Sequence, residues 1–265
     1  MPLELRFIGT SDSKGVPRLG CACDVCREAR PGSRDRRSRA AIWLAGEGGR
    51  LLVDTPPELR LRLADEGLER PDGVLLTHAH DDHILGLADV VNAFRMADLT
   101  MPLAAAPPVF ADARQRFGYL WDLPHWRRRL DERPLTAPAD LFGFRVEAVH
   151  VPHGFNGDAY GFVIAAGGVR VGYFPDAIDI PDLAPLRGLD LLVLGANFES
   201  EAHKARWTRS VYDVEEALAV GRAVEPGQLM LTHMSHAIRY TDLAPRLPSW
   251  AALAYDGLRL TLGGA

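Results

Sequence analysis

The chain has 265 residues, of which 47% are hydrophobic and 25% charged, and these values are ordinary for a globular protein. Its formal net charge of −5 argues against a broad electrostatic attraction to nucleic acid or acidic lipid. No apolar run approaches the roughly 20 residues needed to cross a bilayer, and the N-terminus begins as an alternating strand rather than a secretory leader. We therefore expect a cytoplasmic protein without a membrane partner that folds as a single α/β domain over residues 1–265.

The first half of the chain is predicted to alternate strands with amphipathic helices, because its apolar residues form short runs or recur at helical spacing. In chain order, strands are predicted at the N-terminus and at 40–44, 51–53 and 73–76, and helices at about 58–66 and 83–94. The strand at 73–76 leads directly into the most informative segment of the sequence.

That segment, Thr77-His78-Ala79-His80-Asp81-Asp82-His83, places three histidines and a carboxylate within six positions. On extended backbone His78 and His80 project to the same side, because side chains alternate with period two. Asp82 and His83 follow a change of direction, so one segment can supply ligands to two neighbouring metals. Imidazole and carboxylate ligands suit zinc, manganese or iron, and a site without thiolate usually keeps water as a ligand.

The middle of the chain, from about residue 100 to 140, has a different composition. Six prolines interrupt it, Arg127–Arg129 and Arg133 form a basic run, and several aromatic residues accompany them. One interpretation is a substrate-facing lid that binds an anionic, partly flat ligand through cation and stacking contacts. The other is a solvated helix whose aromatic residues pack on the domain, and the residues alone favour neither.

The second half continues with short strands and one long helix. The predicted strands are at 144–149, 160–164, 171–176, 191–194, 229–231 and 258–262, and the helix is at about 213–224. Within that helix we expect Val214, Leu218 and Ala219 to form the buried stripe. Three further potential metal ligands occur beside or at the end of apolar segments: His153, Asp176 and His233.

All three cysteines of the protein lie in one C-x-C-x-x-C motif, Cys21, Cys23 and Cys26. An odd number of closely spaced cysteines does not form a disulfide framework, so a metal site is the better interpretation. Three thiolates need a fourth ligand to complete a tetrahedron. The alternative, three reduced cysteines that serve as small apolar residues, is disfavoured by the glycine and charged residues around them.

The spacing H-x-H-x-D-H resembles the signature of the metallo-β-lactamase superfamily, and the other potential ligands occur in the order expected for it. The segment that contains Asp54, Leu51-Leu52-Val53-Asp54-Thr55, is similar to an early strand whose Asp supports the ligand loop. The resemblance implies a four-layer αββα sandwich, with two metals at one edge of its sheets. The ligands that it implies are His78, His80, Asp82, His83, His153, Asp176 as the bridging residue, and His233.

The opening of the chain, including the cysteine motif, is similar to one branch of that superfamily, which includes the cyclic phosphodiesterase of phosphonate utilisation. In that branch the cysteines hold a structural zinc. The resemblance implies a zinc-binding loop at about 20–27, with Cys21, Cys23 and Cys26 completed by His236.

The resemblance further implies a dinuclear phosphodiesterase that hydrolyses a small or cyclic phosphodiester through a hydroxide shared by two divalent ions. Those ions would be zinc or manganese, or alternatively iron, and Asp82 would act in catalysis as well as ligation. The branch has a catalytic His shortly before the helix that precedes the last ligand, and this sequence has none at the matching place. His203 and Arg209 are the nearest candidates, for protonating the leaving group and for stabilising charge.

Three other functions stay open at this point. They are a transfer-RNA 3′-processing endonuclease, an ester, thioester or lactone hydrolase, and a zinc-stabilised accessory protein of cofactor biosynthesis. We expect a small anionic substrate, and the acidic balance argues against a large nucleic-acid footprint. The sequence leaves open whether the chain forms a homodimer.

Overall fold

The computed structural model describes residues 2–263, apart from the side chain of Trp207. The strands are β1 (Leu3–Gly9), β2 (Ala41–Gly46), β3 (Gly49–Val53), β4 (Gly73–Leu76), β5 (Met101–Ala105), β6 (Leu130–Pro134), β7 (Ala139–Leu141), β8 (Phe144–Pro152), β9 (Asp158–Ala166), β10 (Val169–Phe174), β11 (Leu191–Gly195), β12 (Gln228–Thr232), β13 (Ala251–Leu253) and β14 (Arg259–Leu262). The α-helices are α1 (Asp24–Glu28), α2 (Leu59–Asp65), α3 (Asp81–Ile84), α4 (Leu87–Met96), α5 (Pro107–Arg116), α6 (Gly118–Asp122), α7 (Pro124–Arg127), α8 (Val214–Val224) and α9 (Tyr240–Leu243). Within the described range, no helix is both long enough and apolar enough to cross a membrane.

The strands form two mixed sheets of seven strands each. The first has the order β14-β1-β2-β3-β4-β5-β6, and the second has the order β13-β12-β11-β10-β9-β8-β7. Strands β3 to β6 are parallel to one another, and so are β10 to β13. The carboxyl ends of parallel strands meet at one edge of a sheet, where ligand sites of such folds lie. The segments that follow β4, β10 and β12 therefore emerge at such edges.

The two sheets pack face to face, and helices cover their outer faces. Leu5 and Leu44 from the first sheet share a buried core with Phe162 and Tyr173 from the second. On the far side of the first sheet, the apolar faces of α4 and α5 pack against buried residues that include Trp43. On the far side of the second sheet, α8 packs in the same way. This arrangement confirms the αββα sandwich predicted from the sequence.

The helix predicted at about 83–94 is divided into α3 and α4, with Leu85 and Gly86 between them. Gly86 donates its backbone N–H to the Thr55 carbonyl, at 2.8 Å, and a Cβ added there would lie 2.5 Å from the Pro56 carbonyl oxygen. This close approach packs the helix break against the loop after β3. The break separates the ligand-bearing turn from the helix that anchors it.

Helix α8 begins as predicted, because Asp213 forms a capping box with Glu216. Its buried residues, however, are Val214, Ala217, Gly221 and Val224. Of the predicted stripe, Leu218 is half-buried and Ala219 is exposed. The prediction of the buried face was therefore correct only at Val214.

The 100–140 segment is more regular than its prolines suggest, since it contains β5 and β6 as paired strands of the first sheet. Its helices α5, α6 and α7 connect these two strands. Trp121 is buried, and Phe117 and Trp126 pack on the helix-covered face of the sheet. A lid function for this segment stays a prediction.

Candidate metal centres

The His-rich segment forms a turn that directs its side chains into the edge of the sandwich. Its backbone leaves β4 in extended conformation, with φ −76° and ψ 154° at His80, and α3 begins at the next residue. His78 and His80 thus lie on the extended part, while Asp82 and His83 lie in the first turn of α3. His83 is fully buried, whereas His80 remains partly accessible.

Two groups of potential ligands lie side by side at this edge. The nitrogen atoms of His78, His80 and His153 form one group, and Asp82, His83 and His233 form the other, with ligand atoms within 4.8 Å of one another in each.

Asp176, which follows β10, lies between the two groups. Its Oδ2 is 2.8 Å from His83 Nε2, and its Oδ1 is 3.2 Å from His233 Nε2. The same Oδ1 is 3.5 Å from His153 Nε2, in the first group. The structure therefore brings all seven predicted ligands together, with Asp176 in the position that a bridging carboxylate needs.

Unpaired buried atoms show that this cluster fits metal ions. The Nε2 atoms of His78, His83 and His233 are buried without a hydrogen-bond partner, and so is Asp176 Oδ2. His83 Nε2 and Asp176 Oδ2 lie 2.8 Å from each other, and neither atom has another hydrogen-bond partner. Buried polar groups normally find partners, so unpartnered nitrogen and oxygen atoms gathered in one cluster suit the donor set of a metal site.

The charges of the cluster also favour a bound cation. Burial by itself raises the pKa of Asp176, but the neighbouring His233 and His83 imidazoles lower that pKa overall. Burial opposes the charged form of His83, yet Asp82, Asp54 and Asp176 together raise its pKa well above the ordinary value. Carboxylates so close together repel one another unless a cation lies between them, and divalent ions would supply that charge.

Hydrogen bonds from the surroundings fix the orientation of two of the imidazoles. His83 Nδ1 donates to Asp54 Oδ2 at 2.7 Å, and His153 Nδ1 donates to the Ser210 carbonyl at 2.7 Å. Each bond places the proton on Nδ1 and leaves Nε2 with a lone pair that suits a metal ion. At His153 this lone pair accepts a hydrogen bond from Asn156 Nδ2 at 3.2 Å, which a bound metal ion would replace. Asp54 itself is held by the backbone N–H and the hydroxyl of Thr77.

The cysteine motif and His236 form a separate group at the other side of the loop that follows β12. The Sγ atoms of Cys21, Cys23 and Cys26 lie 3.3, 3.5 and 3.4 Å from His236 Nδ1. A sulfur and a nitrogen bound to one tetrahedral zinc are about 3.6 Å apart, given bonds of roughly 2.3 and 2.1 Å. The three near-equal distances therefore fit a zinc site, and the cysteines are not joined by disulfides.

The two remaining candidates from the sequence lie outside these groups. His203 is exposed in the loop that precedes α8. Arg209 is buried, and its guanidinium contacts the carboxylates of Glu201, Asp213 and Glu216. These three carboxylates balance the positive charge of Arg209. The described contacts of His203 and Arg209 include none of the predicted metal ligands.

A cleft of about 560 Å³ opens beside the first ligand group, with His78 and His80 in its wall. Arg116 at the end of α5 borders one side of the cleft, and His150 and Asp158 of the β8–β9 pair border the other. His150 Nε2 and Asp158 Oδ1 are 2.9 Å apart, and Arg116 forms an ion pair with Asp81. A slightly larger cleft, of about 610 Å³, lies beside α2 and contains none of the predicted ligands.

Sequence reasoning missed these cleft residues. It singled out the Arg127–Arg129 run, whereas the arginine that borders the cleft is Arg116. Helix α5 follows β5, the strand parallel to β4, so its first turn starts at the edge of the sheet where the ligands lie. Arg116 is the last residue of α5, and the sequence has no local signal that identifies it as a cleft residue.

Comparisons with known proteins agree with this geometry. The sequence model described as a beta-lactamase superfamily domain matches residues 49–234. An octanoyltransferase of Porphyromonas gingivalis is 26% identical over 263 residues, which cover 95% of this chain and 50% of that protein. The chain thus spans about half the length of that relative. Coenzyme PQQ synthesis protein B of Methylobacterium radiotolerans is 26% identical over 311 residues, which cover 98% of this chain and 100% of that protein.

Among solved structures, a diphosphatase from the PhnP family superimposes with a TM-score of 0.85 at 28% identity. The superposition covers 98% of this chain and 97% of that one. The family match includes more than half of the chain, and the fold agrees with it over nearly the whole length. The chain therefore belongs to the beta-lactamase superfamily, has the metallo-β-lactamase fold and resembles the PhnP family.

Proposed function

We propose that the protein is a phosphodiesterase that uses two divalent ions to hydrolyse a small phosphodiester. The observation that carries this proposal is the pair of ligand groups that share Asp176 and open into a cleft of about 560 Å³. Zinc or manganese would suit these ligands, with iron as an alternative, and a zinc ion would suit the cysteine group. Two bound ions would supply an activated water and would neutralise the negative charge of the reacting phosphate.

The side chains of the chain itself would orient and retain the substrate. Asp54 and the Ser210 carbonyl fix the imidazole rings of His83 and His153, so that the ligand set is rigid before substrate arrives. Arg116 lies at the cleft wall in an ion pair with Asp81, and its guanidinium would bind an anionic substrate that displaces this carboxylate. The volume of the cleft is in the range of small-molecule sites, which favours a small substrate over a folded RNA.

The leaving group of a phosphodiester also needs a proton, and three positions of this chain are candidates for its source. The family's catalytic histidine matches either Thr208 or Val211 of this chain. Val211 is apolar and buried, and the Thr208 hydroxyl already donates to the Ala205 carbonyl, so neither supplies the proton. His203 stays a prediction for this role. Arg209 is better described as a residue that holds its own loop, which also carries the Ser210 carbonyl.

One alternative has support of its own, since coenzyme PQQ synthesis protein B matches the chain over its full length. A role in cofactor biosynthesis, as an accessory protein, would need the fold but not a complete active centre. The complete ligand set and the adjoining cleft favour hydrolysis instead.

Thiols arranged for a metal rather than for disulfides support a cytoplasmic location.

The test is a substrate screen with protein reconstituted with zinc or manganese. It would compare bis(p-nitrophenyl) phosphate, 2′,3′-cyclic nucleotides, a thioester and a lactone, and it would count metal ions per chain. We expect two ions at the active centre, one zinc at the cysteines, and turnover of phosphodiesters. His80→Ala should abolish turnover, whereas the exposed His125→Ala should not alter it. A fully metal-loaded protein that hydrolyses only the thioester or the lactone, or nothing at all, would refute the proposal.

A further inference from the structure

The loop of residues 233–238, which follows β12, carries one ligand of each metal group. His233 belongs to the active centre, and His236, three positions later, completes the cysteine group. His233 also has a φ of +55°, in the left-handed region that residues other than glycine rarely adopt. Such a conformation persists only where surrounding contacts impose it. The contacts that hold this loop therefore determine the positions of both His233 and His236.

Backbone hydrogen bonds join Met234 of this loop to Thr10 and Asp12, and the side chain of Arg37 adds two further hydrogen bonds. Its Nη1 donates to the Ser235 carbonyl at 2.9 Å, and its Nη2 donates to the Ile238 carbonyl at 2.9 Å. The Ser235 carbonyl lies between the two histidine ligands in sequence. The planar guanidinium thus spans the turn as a rigid fork, which an ammonium group cannot do.

Arg37 is an unusual residue to find in such a place, because its side chain is 0% exposed. Its charge is balanced by Asp35, whose Oδ1 also accepts the Tyr240 backbone N–H at 2.8 Å. A buried arginine that binds backbone carbonyls rather than solvent is costly to maintain and holds those carbonyls in one geometry.

The backbone of Arg37 connects the same residue to the cysteine loop. Arg37 and Val16 exchange two backbone hydrogen bonds, both of 2.9 Å. Val16 in turn packs with Cys26 in a small apolar cluster. One residue therefore joins the segment that carries the thiolates to the loop that carries His233 and His236.

We propose that Arg37 is a positioning residue that couples the two metal centres, so that zinc at the cysteines sets the affinity of the active centre for its ions. Zinc fixes His236, Arg37 fixes the carbonyl between His236 and His233, and His233 is then held in its left-handed conformation. Without zinc, His236 is no longer held and the loop keeps only its hydrogen bonds, those of Arg37 among them. The His233 imidazole is then less precisely oriented toward the active centre. This inference rests on the ligand assignments of the proposed function and not on the identity of the substrate.

The test measures metal affinity rather than turnover. Cobalt(II) titration would follow the cysteine group by its thiolate charge-transfer absorption and the active centre by its visible bands, together with thermal unfolding. In Arg37→Lys we expect weaker binding at both centres, by about tenfold or more, the loss typical of residues that orient metal ligands. The matched control is Arg50→Lys, since Arg50 pairs with Glu69 and Asp72 at the surface and contacts neither the loop nor the segment that carries the cysteines. That control should leave both affinities unchanged.

The wild-type protein supplies a second measurement in case Arg37→Lys folds poorly. Selective removal of the cysteine zinc with a mercurial thiol reagent should weaken cobalt binding at the active centre by a similar factor. Unchanged active-centre affinity after zinc removal, or an Arg37→Lys variant with a lower melting temperature but both affinities intact, would overturn the coupling. Fewer than two ions at the active centre of untreated wild-type protein is a different result, and it would count against the proposed function instead.

Discussion

At the scale of single residues, the active centre depends on groups that never touch a metal. Asp54 directly follows β3 and has a φ of +67°, in the left-handed region that few residues other than glycine, asparagine and aspartate adopt. Its carboxylate accepts hydrogen bonds from Thr77 and from His83 Nδ1, and these bonds hold it in place. This Asp could be predicted from the sequence as a supporting residue, but its unusual backbone conformation could not, because no local glycine or turn motif marks it.

Asp54→Asn tests that support. Asparagine keeps the size of the side chain but loses the charge that holds the His83 proton on Nδ1, so metal affinity and turnover should fall about 10–100-fold. The measurement is metal content after dialysis together with the rate of phosphodiester hydrolysis. Asp72→Asn is the control, because Asp72 pairs with Arg50 at the surface and should affect neither quantity.

A second residue, Asp256, predicts a pH dependence of stability. About one tenth of its side chain is exposed, and burial raises the pKa of this carboxyl to about 6 despite hydrogen bonds from Thr10 and the Ser38 backbone. Its pKa in the unfolded chain is about 3.9, so between these values the folded state binds more protons than the unfolded one. Stability contributed by the protonated form is therefore lost as pH rises from about 4 to 6.

The measurement compares denaturant unfolding of wild type and Asp256→Asn from pH 4 to 7.5. Relative to the variant, the wild type should lose up to roughly 3 kcal/mol across this window, since two pKa units correspond to about that free energy. A difference between the two proteins that stays constant with pH, or that grows in favour of the wild type as pH rises, would contradict the assignment.

At the scale of elements, periodicity located most of the strands and the helices α2, α3, α4 and α8, but it did not identify every buried face. Helix α8 illustrates this, since its start at the Asp213 cap was predictable and its buried face was not. The reason is Gly221, where a Cβ would lie 2.7 Å from the Trp250 ring. Small residues let the helix approach its neighbours closely. The buried face of α8 is therefore the face with the smallest side chains, and not the face with the largest apolar ones.

Gly86 allows a close approach at the turn that bears the ligands, as Gly221 does in α8. Gly86→Ala would bring a Cβ to within 2.5 Å of the Pro56 carbonyl oxygen and would push α3 away from the loop after β3. The His83 carbonyl accepts from the Thr55 backbone N–H at 2.7 Å, so the shift should also move His83. We expect a loss of about 1–3 kcal/mol in unfolding free energy together with weaker metal binding.

The control for this prediction is Gly46→Ala in β2, where the added Cβ would meet its nearest neighbour at an ordinary 3.6 Å. Both variants would be measured by denaturant unfolding and by cobalt titration. Equal effects of the two substitutions would show that the loss of a glycine, and not the close approach at Gly86, determines the result.

At the scale of the whole molecule, the ligands were predictable and the cleft was not. Each ligand lies shortly after a strand, directly or in the turn of α3 that follows β4, and has a distinctive residue type, so the sequence contains the signal locally. The walls of the cleft come from α5 in one half of the chain and from β8 and β9 in the other. Their residues, such as Arg116 and Asp158, are ordinary surface types, and only the packing of the two halves makes them neighbours.

Arg116 therefore tests whether this composite cleft binds an anion. Arg116→Ala removes a charge-assisted contact, so kcat/KM for bis(p-nitrophenyl) phosphate should fall about 10-fold or more, mostly through KM. Hydrolysis of a neutral ester such as p-nitrophenyl acetate should change little, because that substrate presents no anion to bind. Arg127→Ala, on an exposed helix outside the cleft, should alter neither reaction.

The ion pair between Arg116 and Asp81 requires one further control, because the substitution also frees a carboxylate near the cleft. The double variant Arg116→Ala with Asp81→Asn removes that freed charge. If the lost contact with substrate is responsible, the double variant should stay as impaired as Arg116→Ala. Recovery to the wild-type rate would mean that repulsion by Asp81 caused the loss, and the anion would then have to be bound by the metal ions alone.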